Sequence, residues 1–156
     1  MTRPRTNGIF YRLILKPPSD PLQRAQSPEG RFHHNGQTAF YLSPTKAWAL
    51  KTMARYVADD DRPTYLRYAL NDAVLLDLRK SDERAKFDFT LSDIRSAWHE
   101  DRALGHPAPS WGISDVARGA GFNGMIYPSR TELKRWNIVL FQWNNKTGPQ
   151  LTHEPE

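Results

Sequence analysis

The apolar residues of this chain come in short packets, and that limits what it can fold into. "GIFYRLIL" (8–15), "TAFYLS" (38–43), "TYLRYAL" (64–70), "AVLLDL" (73–78), "FNGMIYP" (122–128) and "NIVLFQW" (137–143) are each six to eight residues long. They are rich in aromatic and branched residues and are bounded by Gly, Pro or Asn. Runs of this length and composition form strands. None approaches the roughly 20 apolar residues of a membrane-spanning helix. Residues 16–30 contain Pro17, Pro18, Pro21 and Pro28 and predict a loop. Asn35-Gly36 turns the chain into the second strand, and Asn71-Asp72 predicts a turn between the third and fourth.

Three segments carry helical spacing. Over 45–57, Ala47, Leu50, Met53, Ala54 and Val57 share one face, with Ser43-Pro44 as the start signal and Asp59-Asp60-Asp61 as a solvated stop. "TLSDIRSAWH" (90–99) opens with Thr90 and Asp93 spaced as in a capping box. "SWGISDVARGAG" predicts a short helix ending at Gly119 and Gly121. Residues 100–110 read as loop, and the polar tail after Asn144 as unstructured. Six strands and three helices without strict alternation predict an α+β fold, one domain over 1–156 with a mixed β-sheet core within about 8–143.

The 156 residues, 38% hydrophobic, suffice for one buried core. The absence of cysteine excludes disulfides, zinc–thiolate sites and cysteine nucleophiles, and suits the cytoplasm. Arg12 interrupts the first apolar segment and no small-residue cleavage site follows, so no secretion signal is expected. The 22 basic against 17 acidic residues favour an anionic partner. The basic residues are scattered, which points to a phosphate-bearing small molecule rather than nucleic acid. Phosphate-loop, dinucleotide-fingerprint and serine-elbow motifs are absent. His33 and His34 are adjacent, a poor spacing for a metal pair, and no metal is expected.

Three residues stand out as candidates. Arg31, between Gly30 and Phe32, has a planar fork suited to a diphosphate, and Gly30 would allow a ligand close to the backbone. Its alternative is an exposed loop arginine. Tyr41 offers a ring for stacking, or else a core tyrosine with a satisfied hydroxyl. Ser129, after Pro128 at a strand end, is either a ligand contact or a turn former.

Taken together, "FYRL", "GRFHHNGQTAFYLSPTKAWAL" and "WGISDVARGAGFNGMIYPSRTELKRWNIVLF" resemble the RES domain over about residues 8–143. That domain is the toxin half of bacterial toxin–antitoxin pairs and is named for an arginine, a glutamate and a serine. The resemblance implies a fold related to ADP-ribosyltransferase toxins, with NAD as substrate. Carried over, the arginine is Arg31, the tyrosine Tyr41 and the serine Ser129. It further implies a cognate antitoxin covering the cleft and a protein that accepts ADP-ribose.

This sequence departs from the family pattern at the glutamate. The helix after Tyr41 offers Lys51 or Thr52 there. At about 100° per residue with the apolar face on Leu50, Ala54 and Val57, Lys51 lies at the face's edge and Thr52 points away, which favours Lys51. Glu132, three residues past Ser129, is the candidate stand-in acid. Phe32 and His33 also differ from the residues that commonly follow the family arginine. A carboxylate would stabilise the positive charge that develops on the ribose as its glycosidic bond breaks. Its absence favours transfer of ADP-ribose to a nucleophilic target over activation of water, with NAD glycohydrolysis or phosphorolysis as the alternative. A more distant alternative is a basic nucleic-acid-binding module, for which "TYLRYAL" is the one hint.

Overall fold

A computed structural model describes residues 3–156; Met1 and Thr2 lie outside the described residues. The elements follow in the order β1 (Thr6–Ile14), β2 (Phe40–Leu42), α1 (Lys46–Met53) with a 3-10 turn at Ala54–Tyr56, β3 (Thr64–Ala73), β4 (Leu75–Asp77), α2 (Ser81–Ala85), α3 (Leu91–Ile94), α4 (Trp98–Ala103), α5 (Pro109–Gly119), β5 (Gly124–Pro128), β6 (Trp136–Leu140) and β7 (Gln150–His153). One sheet has the order β1-β3-β7 and is antiparallel throughout. The other has the order β2-β6-β5-β4, antiparallel except where β4 and β5 run parallel. The fold is mixed α+β, as the sequence predicts.

Strand alternation divides the core. Phe40, Leu42, Ile126, Ile138 and Leu140 turn one face of the four-stranded sheet toward Phe10, Tyr68, Leu70 and Leu151 of the three-stranded sheet. Val139, Met125, Tyr127 and Leu76 turn the other face toward Phe32, Ile94 of α3, and Ile113 and Ala117 of α5. The result is three layers, sheet, sheet and the face carrying α3 and α5, with α1 packed beside β1 instead. Each fully buried aliphatic side chain contributes about 1.5–3 kcal/mol.

The two sheets are stitched at two corners. At one, Tyr11 of β1 and Ser43, just past β2, exchange backbone hydrogen bonds of 2.7 and 2.8 Å. At the other, the chain passes from β3 to β4 through the single residue Val74. Val74 N–H donates to the Asn123 side-chain oxygen at 2.8 Å. Asn123 N–H donates back to the Val74 carbonyl at 2.8 Å.

Several local expectations are revised. Asn71-Asp72 does not reverse the chain. Asp72 has φ of 60° within β3, the β1–β3 register shifts beside it, and its N–H is taken by the Asn7 side chain at 2.9 Å. The asparagine supplies the ladder bond that the irregularity removes, so β3 continues to Ala73. The tail is not unstructured: β7 pairs with β3 and buries Leu151. The Asn144 amide brackets Leu151, accepting from its N–H and donating to its carbonyl, both at 2.8 Å. A strand with one buried residue looks polar in sequence. The expected helix at 90–99 is two short ones, α3 and α4, separated at residues 95–97. α4 runs into the expected loop, and α2, with no buried residue, has no apolar pattern to announce it. The cap of α1 is Thr45, whose hydroxyl accepts from Trp48 N–H at 3.0 Å; the Ser43 hydroxyl is used elsewhere.

Asn123→Ala leaves the Val74 N–H without its partner at the sheet-to-sheet step. The expected loss is about 1–3 kcal/mol, the cost of an unsatisfied buried amide, read as a lower urea midpoint with an unchanged slope.

Candidate active site

The site is built from the turn at residues 29–37, and α5 holds that turn by its backbone. Trp111 Nε1–H donates to the Gly30 carbonyl at 2.8 Å, the Ser110 hydroxyl to the Arg31 carbonyl, and Arg118 Nη2 to the Phe32 carbonyl at 2.9 Å. Three successive carbonyls are thus gripped from one helix. Gly30 N–H closes the turn onto the His33 carbonyl at 3.0 Å. Gly30 is glycine for a reason other than ligand approach. A Cβ there would collide with the His33 ring and lie 2.9 Å from the Tyr41 hydroxyl.

With its backbone fixed, Arg31 sends its side chain inward. Its Nε donates to the Ile94 carbonyl at 3.1 Å, and its Nη2 reaches both Ile94 O and, at 3.4 Å, Pro128 O. Ile94 ends α3, so this carbonyl has no partner within the helix. The guanidinium lies 4.9 Å from the Tyr127 ring centroid and 5.1 Å from that of Phe32. Burial, aided by Arg130 and Arg95, lowers its pKa to about 10. Among the described residues, no carboxylate lies within ion-pair distance of it. Neither reading of Arg31 anticipates this arrangement: the fork is occupied by backbone carbonyls, and Nη1 is the group it leaves without a bond.

Tyr41 is locked. Its oxygen accepts from Phe32 N–H at 3.1 Å and lies 2.7 Å from His33 Nδ1, while His33 Nε2 lies 2.8 Å from the Ser27 carbonyl. One tautomer satisfies every group: Nε2–H donates to Ser27, and Nδ1 accepts the tyrosine proton. Burial pushes the Tyr41 hydroxyl well above its ordinary value and lowers His33 below 6.5. Tyr41 is therefore a rigid neutral ring with a satisfied hydroxyl. Across the sheet, Tyr127 is held neutral likewise, its pKa pushed up to about 12 by burial.

Both rings line a cavity of about 270 Å³, together with Ser43, Thr52 and Asn137. Asn137 is buried on β6. Its side-chain oxygen accepts from the Ser43 hydroxyl at 2.7 Å, and its Nδ2 donates to Thr52 Oγ1 at 3.1 Å. Here the predicted helix face is out of phase. Ala49, Thr52 and Met53 of α1 line the cavity, Leu50 is 40% exposed, and Lys51 is exposed with no hydrogen bond. α1 lasts two turns and then tightens to 3-10 geometry, so spacing summed over 45–57 at 100° per residue misplaces the face. Thr52, not Lys51, is the residue beside Asn137.

Ser129 opens a turn that also has its carbonyls gripped. Pro128 O accepts from Arg31, Ser129 O from Arg95 Nε at 2.9 Å, and Arg130 O from Arg95 Nη2 at 2.7 Å. The Ser129 hydroxyl accepts from Thr131 N–H at 3.2 Å and from Arg135 Nη2 at 3.3 Å. Ser129 thus stands one residue beyond the carbonyl held by Arg31, while the cavity lining stops at Tyr127. Glu132 is on the same turn, exposed, and its carboxylate accepts from Lys134 N–H at 3.1 Å. Arg31 packs against the ring of Tyr127 and Tyr41 shares a cavity wall with that ring; Ser129 lies two residues past Tyr127, outside the cavity lining, and Lys51 is exposed away from it. Asn137, Arg95 and α5's Ser110, Trp111 and Arg118 are not among the residues the sequence marks; Thr52 is, but as the less favoured occupant of the glutamate position. Asn137, a polar residue opening the apolar run "NIVLF", was the one available signal.

These features define an α+β domain with a desolvated, unneutralised cation at the edge of an aromatic-walled cavity. The chain belongs to the RES domain family, whose model matches residues 9–155. No curated protein matches it. Its fold is similar to a chain in the crystal structure of the M. tuberculosis MbcT-MbcA toxin-antitoxin complex, with a TM-score of 0.57 and 14% identity over 96% of this chain and 85% of that one.

His33 makes the turn sensitive to acid. The unfolded chain takes up a proton at about pH 6.5, and the buried ring resists it. Stability is fully present above about 6.5 and is lost as pH falls through the lower folded value. The urea midpoint is expected to fall between pH 7.5 and pH 5, with a shallower fall in His33→Gln.

Proposed function

We propose that this protein is the toxin of a toxin–antitoxin pair and uses NAD to ADP-ribosylate a protein. The observation that carries the reading is Arg31: a buried guanidinium without a counter-ion, next to the Ser129 turn and the cavity walled by Tyr41 and Tyr127. A dinucleotide supplies what that arrangement lacks, a diphosphate for the cation and a flat ring for the aromatic walls. Family membership and the likeness to a toxin–antitoxin complex support the same reading.

In this mechanism nicotinamide leaves with the electron pair of its bond to the ribose, and positive charge develops on the ribose carbon. A nucleophile of the target protein bonds to that carbon and loses its proton. Tyr41, with its hydroxyl committed to His33 and Phe32, acts as a fixed wall and not as an acid or base. Thr52 and Asn137 are placed to hold ribose hydroxyls or the carboxamide by neutral hydrogen bonds. A hydroxyl orients the sugar but adds no negative charge beside it, so turnover is slow and depends on the acceptor. Glycohydrolysis or phosphorolysis is the second reading, favoured by the polar Ser43–Asn137–Thr52 corner of the cavity, where water has hydrogen-bond partners. The antitoxin is the proposed occupant of the mouth in the resting complex.

Incubation with labelled NAD and cell lysate separates the two: label on a protein band supports transfer, whereas free nicotinamide without a labelled band supports cleavage. Arg31→Ala is expected to reduce either activity by about 100-fold, the upper end for one charge-assisted contact. Thr52→Glu, which brings a carboxylate to the residue beside Asn137, is expected to raise turnover by about tenfold or more. A Thr52→Glu protein no faster than the native chain would remove Thr52 from the reacting end of the site.

A further inference from the structure

Four arginines meet at the Ser129 turn, and among the described residues none of them is in an ion pair. Arg31 and Arg95 approach from α3's side and hold the carbonyls of Pro128, Ser129 and Arg130. Arg135 closes the far side, its Nη2 donating to the hydroxyls of Ser129 and Thr131 at 3.3 and 2.8 Å. Arg130 belongs to the same turn, and among the described residues its side chain makes no hydrogen bond; its Nε is buried with no partner. Glu132, in the same turn, is occupied by the Lys134 N–H and lies in no ion pair with these arginines. Arg130 and Arg95 lie near enough to Arg31 to help lower its pKa.

Arginines gathered without carboxylates repel one another, and Arg130 Nε, like the Nε of Arg12, Arg67 and Arg118, is a buried donor left for an acceptor outside the chain. The bonds already made divide the labour. Arg95 is spent on two backbone carbonyls and fixes the turn. Arg31 Nη1, the whole Arg130 fork and the remaining Arg135 donors are what the turn has left to offer. Guanidiniums in that number match an oxyanion with several acceptors and more than one charge.

We propose that Arg130 and Arg135 complete, with Arg31, a phosphate site on the Ser129 turn, and that its occupant is the diphosphate of the dinucleotide. The assignment rests on the reading that this site takes NAD. Arg95 is a positioning residue that holds the turn in shape.

The test is calorimetric titration of the full chain with ADP-ribose, inorganic phosphate and nicotinamide riboside, which carries the same reacting end without phosphate. Arg130→Gln is the main variant, with Arg130→Met as a second; neither removes a hydrogen bond, so the thermal midpoint should hold. Affinity for ADP-ribose should fall about tenfold or more, Arg130→Lys should keep part of it, and affinity for nicotinamide riboside should not change. Inorganic phosphate should compete with ADP-ribose. Equal ADP-ribose affinity in the native chain and Arg130→Gln, with loss in Arg31→Ala, overturns the inference and leaves NAD binding standing. Phosphate that binds together with ADP-ribose overturns the diphosphate as occupant. A native chain that binds neither ADP-ribose nor NAD overturns the inference and the proposed function together.

Discussion

The grip of side-chain donors on successive backbone carbonyls organises this molecule. α5 takes three in a row from the turn that carries Arg31, and Arg31 with Arg95 takes three in a row from the turn that carries Ser129. Neither turn has regular secondary structure to satisfy its own carbonyls. Leaving such groups buried and unpaired is unfavourable, so each turn depends on the neighbour that satisfies it. The order of dependence is plain: α5 fixes the first turn, the first turn aims Arg31, and Arg31 helps fix the second turn. A helix on the outer layer thereby sets the distance between two loops far apart in sequence.

The same bonds explain why a cation can be kept inside. Arg31 loses its water but gains carbonyl oxygens and the faces of two aromatic rings, which solvate it without neutralising it. Among the described residues the charge is left without a counter-ion. Tyr41 shows the complementary arrangement. Its hydroxyl is consumed by Phe32 and His33, so the ring is held in place while its proton is taken out of any chemistry.

Much of this was readable beforehand. Period-two alternation and aromatic content locate six of the strands, because buried strands advertise themselves. β7 escaped because only Leu151 is buried in it, and its outer edge is closed by an asparagine side chain rather than by a pattern. The resemblance of three sequence blocks points to Arg31, Tyr41 and Ser129; Arg31 and Tyr41 both meet Tyr127, while Ser129 sits on the turn that follows it. What sequence does not give is the phase of α1: two turns carry too few apolar residues to define a face, and spacing alone favours Lys51 over Thr52. Nor could it show that Gly30 makes room for a histidine and a tyrosine of its own turn, or that Arg95 belongs to the backbone of Ser129. Those are contacts between residues distant along the chain, and no local rule encodes them.

The passage from β3 to β4 through Val74 has a mechanical meaning. The last residue of one sheet and the first of the other are separated by one residue, Val74, whose N–H and carbonyl are both tied down by Asn123. Neither sheet can peel away without dragging the other, for there is no slack between them to absorb the movement. Tension applied at any surface, whether by a docking protein prying at the mouth or by an unfoldase pulling on a free end, is carried straight across the sandwich. At this step the two sheets give way together.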